Sequence, residues 1–168
     1  PAFGLAGKTG LGDIDISGTT LWVVNVAARQ LIQLDITNPG SPSIVMVYPI
    51  TNATTGITPT DGALRPWGLE IGPDGSVYVG VVATAENVTP AAPLTAGPIN
   101  LGAAGIRESA ANRAKLKGYV FKLNPATGNF ALALSLNLDY LRGNPGVGGS
   151  NTAEWMPWFD DYTQGFPN

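Results

Sequence analysis

The sequence predicts an all-β chain built from antiparallel four-stranded units. Three observations carry that expectation. Short β-prone runs are separated by turn residues, a second set of such runs follows in the same order, and good helix formers read as a short helix in one stretch.

The first unit opens with Ile14-Asp15-Ile16, a polar turn Ser17-Gly18-Thr19-Thr20, and Leu21-Trp22-Val23-Val24, which together have the form of a hairpin. Leu31-Ile32-Gln33-Leu34-Asp35-Ile36 supplies a third strand, alternating apolar and polar residues at its end as a half-buried strand does. Thr37-Asn38-Pro39-Gly40 reads as a turn and Ile44-Val45-Met46-Val47-Tyr48 as a fourth strand.

The second unit follows the same grammar. Gly68-Leu69-Glu70-Ile71 leads through Pro73-Asp74-Gly75-Ser76 into Val77-Tyr78-Val79-Gly80-Val81. Asp-Gly between two strands is a strong hairpin signal, because glycine accepts a positive φ. Ile16 aligns with Ile71, and Leu21-Trp22-Val23 aligns with Val77-Tyr78-Val79 after one inserted turn residue. Tyr119 to Leu123, a turn at Asn124 to Asn129, and Phe130 to Leu138 complete the set.

Four antiparallel strands of this size make one blade of a β-propeller, and recurrence at this spacing predicts a propeller rather than a sandwich. The expected organisation is a single domain over residues 1–168, with blade-like units near 11–50 and 67–138. An insertion spans about 83–115 and a further blade starts at about 152–168. Residues 51–64 are expected as a polar loop. The insertion reads as a loop rich in Pro, Ala, Thr and Gly, then as a short helix over Ile106 to Lys115. A closed propeller has typically about 4–8 blades. Two units and the start of a third therefore make a partial one.

Composition narrows the function. Charged residues are 12 % of the chain, about half the usual share, so Thr, Ser, Asn, Gln and Gly must cover much of the surface. Such surfaces suit exported proteins and proteins packed into assemblies. The net charge is −3, and the one cationic cluster (Arg107, Arg113, Lys115 and Lys117) holds Glu108 within it, too sparse for a nucleic-acid footprint. With no Cys and no His, disulfides, thiolate catalysis, His-based triads and the common zinc sites are excluded. No apolar run approaches the ~20 residues of a transmembrane helix. Pro1 in place of an initiator Met predicts a processed or excised chain.

Gly12-Asp13-Ile14-Asp15-Ile16, Leu21-Trp22-Val23-Val24-Asn25, Leu34-Asp35-Ile36 and Arg65-Pro66-Trp67-Gly68-Leu69 form an ordered series. It continues through Val77-Tyr78-Val79-Gly80-Val81, Tyr119-Val120-Phe121 and Trp155-Met156-Pro157-Trp158. In order and spacing it resembles a group of bacterial exported propeller proteins. Their full-length members are multidomain surface proteins carrying SdrD-B-like or similar repeat modules. The resemblance covers most of the chain outside the two long loops. It implies export, an extracellular or cell-surface location and a propeller, and brings no catalytic residues with it.

The candidate sites each have two readings. Asp13 and Asp15 lie two apart on a strand and so share a face; their hard oxygens suit Ca²⁺, or else they make a polar sheet face or satisfy turn amides at a strand end. Adjacent Asp160 and Asp161 are a second metal candidate or an exposed acidic tip. No other cofactor is expected. Glu70 with Asp74, or Glu154 with Asp160, would be acid/base pairs only if a cleft brought them within about 5–10 Å. A lactonase-like, metal-dependent hydrolase would need Glu70, Asn25 and Asp160 around one ion. Trp67, Trp155, Trp158 and Phe159 suit a polysaccharide-stacking or partner surface, or else packing between blades. Trp22 and Tyr78 fall at equivalent strand positions and are assigned to packing. Asn52 and Asn87 open glycosylation triplets in expected loops.

The expected function is a non-catalytic structural or adhesive module of a secreted or cell-surface assembly. The alternatives are the metal-dependent hydrolase and a carbohydrate-binding module. The uncharged strands Leu21 to Val24 and Ile44 to Tyr48 carry nothing to discourage pairing. The remainder of the same polypeptide, or other protein chains, is therefore expected against the sheet edges.

Overall fold

The computed structural model describes residues 10–88, 110–140 and 155. It is all-β apart from two single-turn helices. Four strands, β1 (Leu11–Ser17), β2 (Thr20–Asn25), β3 (Gln30–Asp35) and β4 (Ser43–Pro49), form one antiparallel sheet in sequence order. A one-turn helix, α1 (Asn52–Thr55), leads to β5 (Leu64–Ile71) and β6 (Val77–Ala83). Helix α2 (Ala110–Arg113) precedes β7 (Lys117–Asn124) and β8 (Asn129–Asn137), and β5 to β8 form the second sheet, again in sequence order.

The hairpins follow from local chemistry. Gly18 and Gly75 sit at φ 59° and 76°, where a side chain would strain the backbone. Beside Gly75, the Asp74 carboxylate accepts the Ser76 amide at 3.0 Å and the Ser76 hydroxyl at 2.7 Å. Asp35 closes the β3–β4 turn in the same way, with the Thr37 amide at 2.8 Å and hydroxyl at 2.6 Å.

Both sheets contribute to one core. Trp22, Val24, Leu31 and Tyr48 from the first sheet pack with Leu69, Val79, Phe121 and Phe130 from the second. Trp22 stacks on Tyr48 with ring centroids 6.0 Å apart. A smaller cluster of Ala85, Leu116 and Leu138 gathers Val82, Val88 and Trp155 at one end of the second sheet.

Several expectations need correction. Strand β5 begins at Leu64, three residues before the expected unit. Among the described residues β5 pairs along its backbone with β6 alone, and such an edge strand accommodates Pro66, which has no N–H to give. The 51–64 loop contains α1, because Thr51 accepts the Thr54 amide at 3.3 Å and Thr54 accepts the Thr51 amide at 3.0 Å. Helix α1 packs against β8. Within the described part of the expected 106–115 helix, only Ala110–Arg113 is helical. Leu21 to Val24 is not an edge: β2 lies between β1 and β3. Residues 89–109 of the insertion, and all of the expected further blade except Trp155, lie outside the described residues.

Candidate functional site: the seam and the open face of the first sheet

The edge strands β1 and β5 run beside one another where the two sheets meet. They are joined by side chains of β1. One oxygen of Asp13 accepts the Ile14 amide at 2.9 Å and the other the Leu69 amide at 3.1 Å. Asp15 repeats the arrangement two residues on, with Ile16 at 2.8 Å and Ile71 at 3.0 Å. Both oxygens of each carboxylate thus serve edge amides that β2 and β6 do not reach. The amides that Asp13 and Asp15 satisfy belong to β1 itself and to the neighbouring strand β5, not to a turn at a strand end. Among the described residues no group of three or more acidic or metal-binding side chains is placed to hold an ion.

Gly12 sets how closely the strands approach. A Cβ there would stand 2.8 Å from the Trp67 carbonyl oxygen and 2.9 Å from a Val24 methyl. Register shifts between Leu11 and Ile14 on β1, and between Pro66 and Gly68 on β5, bring irregular backbone to this point on both strands. Trp67 is the residue at the β5 irregularity and is partly exposed.

The pairing register defines the faces. On one face of the first sheet, Ile14, Val23, Ile32 and Val47 form a row across all four strands. Ile16, Leu21, Leu34 and Ile44 form the next row. All eight are apolar, and this face lies opposite the one carrying Trp22, which packs into the core. The second sheet has a row in the same register: Leu69, Val79, Phe121 and Leu132. Leu69, Val79 and Phe121 are 7 %, 0 % and 0 % exposed, whereas Ile14 is 57 % and Ile44 64 % exposed. The second-sheet row is covered by the neighbouring sheet at Leu69, Val79 and Phe121 but not at Leu132, and its first-sheet counterpart is open at Ile14 while Val23 in its middle is buried. Covering a large apolar side chain contributes about 1.5–3 kcal/mol, so a face of this extent favours association.

The opposite face of the second sheet is also partly open. Glu70, Tyr78, Lys122 and Ala131 form a row in the register that Asp15, Trp22, Gln33 and Met46 occupy in the first sheet. Gly68, Gly80, Val120 and Leu134 lie beside it, and Leu134 is 53 % exposed. Near this face's Val82 end lie Trp155 and, edge-on to its indole at 6.1 Å, Tyr140.

A cleft of about 570 Å³ opens between the sheets at the Gly75 hairpin, lined among others by Trp22, Gln33, Asp74 and Lys122. Lys122 Nζ lies 3.7 Å from Asp74 and 5.8 Å from the Tyr78 ring centre. The Ser76 hydroxyl and amide hold Asp74 below the ordinary carboxylate value. Gln33 accepts the Tyr48 hydroxyl at 3.2 Å, and burial raises the Tyr48 and Tyr119 phenols above their usual value.

The other sequence candidates fall as follows. The Asn25 side chain accepts the Ala28 amide at 2.9 Å, a turn role. Glu70 is exposed on β5, and Asn52 and Asn87 are exposed as well. Asp160, Asp161, Trp158, Phe159 and Glu154 lie outside the described residues. Trp67 and Trp155 sit in different places, one at the β5 irregularity and the other in the small cluster. The open face was missed as a site. Its signal is the unbroken apolar run Leu21 to Val24, which supplies both faces of β2 as a strand covered on both sides does.

Comparisons with protein-family models, with curated proteins and with solved structures yield no match. Among the described residues, no helix is long and apolar enough to cross a membrane.

Proposed function

We propose that this chain is a non-catalytic structural or adhesive module of an extracellular or cell-surface assembly, built as part of a β-propeller. The observation that carries the reading is the open apolar face of the first sheet, in the register of a covered face on the second. Propeller blades are four-stranded sheets arranged around a centre, and two meanders meeting at their first strands, with a shared core behind, suit that arrangement. The low charge supports export and assembly rather than a freely diffusing enzyme. Asp13 and Asp15 act as struts between edge strands, which supports structural work over metal-dependent hydrolysis.

Two assays test this. Purified chain incubated with lactone and ester substrates, with and without Ca²⁺, is expected to give no turnover above buffer. Protease shaving of intact source cells is expected to release peptides of this chain. Metal-dependent turnover, or complete protection in intact cells with release only after lysis, would overturn the reading.

A further inference from the structure

We infer that the open face of the first sheet docks the outer face of the second sheet of another copy of this chain, head to tail. The inference rests on the module reading above and names its partner. The internal interface supplies the template. There the Trp22 face of the first sheet covers the row Leu69, Val79 and Phe121. The row Ile14, Val23 and Ile32, exposed at Ile14 and only there to this degree, holds the same register positions as that covered row. The outer face of the second sheet, with Glu70, Tyr78 and Lys122, holds the register positions of Asp15, Trp22 and Gln33 on the covering face. Each chain therefore carries one copy of each half of an interface it has already made once internally.

The seam repeats as well. Glu70 stands where Asp15 stands, an acidic residue at the same position of a first strand. Ile14 and Ile16 hold the positions of Leu69 and Ile71, but their amides are already donated to Asp13 and Asp15 of their own strand. Gly68 replaces Asp13, so the second seam has one carboxylate where the first has two. Its two faces differ, so the contact is heterologous, and such contacts close into rings when the rotation permits. With the two sheets of the described residues as the unit and about 4–8 blades in a propeller, closure by such units takes about two to four of them.

The test uses light scattering after size exclusion on the 168-residue chain. Two variants block one half-interface each: I14K/I44K on the open face and L134K on the outer face, all at positions more than one-third exposed. Circular dichroism and thermal melting confirm that both fold. The wild type is expected as a closed oligomer whose size does not grow with concentration. Each variant alone is expected to be monomeric, and their equimolar mixture to form a two-chain complex across the one intact interface. A wild type that stays monomeric to about 100 μM overturns the docking, and the turnover and shaving assays judge the module reading separately. If L134K assembles like the wild type while I14K/I44K does not, the open face pairs with itself and the head-to-tail arrangement is wrong.

Discussion

The carboxylate of Asp15 accepts the Ile71 amide at 3.0 Å while its second oxygen holds the Ile16 amide at 2.8 Å. One side chain thereby ties two edge strands that share no direct backbone ladder. A hydrogen bond to a charged group contributes about 1.5–3 kcal/mol. Asp15→Ala is therefore expected to lower the unfolding free energy by about 2 kcal/mol in urea titration. Asp15→Asn is expected to cost nearly as much, because its –NH₂ must face one of the two amides. An Asn variant as stable as the wild type would contradict the two-amide geometry.

Gly12→Ala tests the closeness of the seam. The added methyl meets the Trp67 carbonyl, which is backbone and cannot rotate away. Overpacking of this kind costs about 1–3 kcal/mol. A Gly18→Ala variant is a useful contrast, since its added Cβ meets nothing within 4 Å and only the positive φ opposes it. Thermal melting is expected to place Gly12→Ala below Gly18→Ala.

Acid weakens the turns. Hydrogen bonds from Ser76 and Thr37 hold Asp74 and Asp35 below the ordinary carboxylate value of 3.8. A depressed folded-state pKa adds stability above the unfolded pKa, and that stability is lost as pH falls through the folded value. The melting temperature of the wild type is thus expected to exceed that of D35N/D74N at pH 6, with the gap closing as pH drops well below 3.8. A gap that stays constant down to pH 2 would contradict the assignment.

The pair Arg65–Glu86 is bidentate, with Nε to Oε2 at 3.0 Å and Nη2 to Oε1 at 3.2 Å, and both side chains are mostly buried. Removing one member leaves the other charge poorly solvated. Glu86→Gln is expected to cost about 2–3 kcal/mol, and R65M/E86M less than that single change. Chemical denaturation of the three proteins checks the order.

Strand order was legible in the sequence because hairpin chemistry is local. Ser17-Gly18-Thr19 and Asp74-Gly75-Ser76 announce their turns, and the strands beside them follow. β5 extends back through Pro66 to Leu64, a span that only its edge position allows a proline to join. Asp13 and Asp15 were legible as a same-face pair, but their partners Leu69 and Ile71 lie a whole sheet away in sequence. No spacing rule reveals them. The open face required the register of four strands at once: Ile14 and Val47 are distant in sequence and meet only through Val23 and Ile32.

Carbene footprinting of the face formed by Ile14, Ile16, Ile44 and Val47 tests the central claim most directly. In monomeric L134K these residues are expected to label strongly, and in the wild-type assembly to be protected, with Leu134 protected alongside them. Equal labelling of Ile14 and Ile44 in both proteins would show that nothing covers the open face, and would contradict the account.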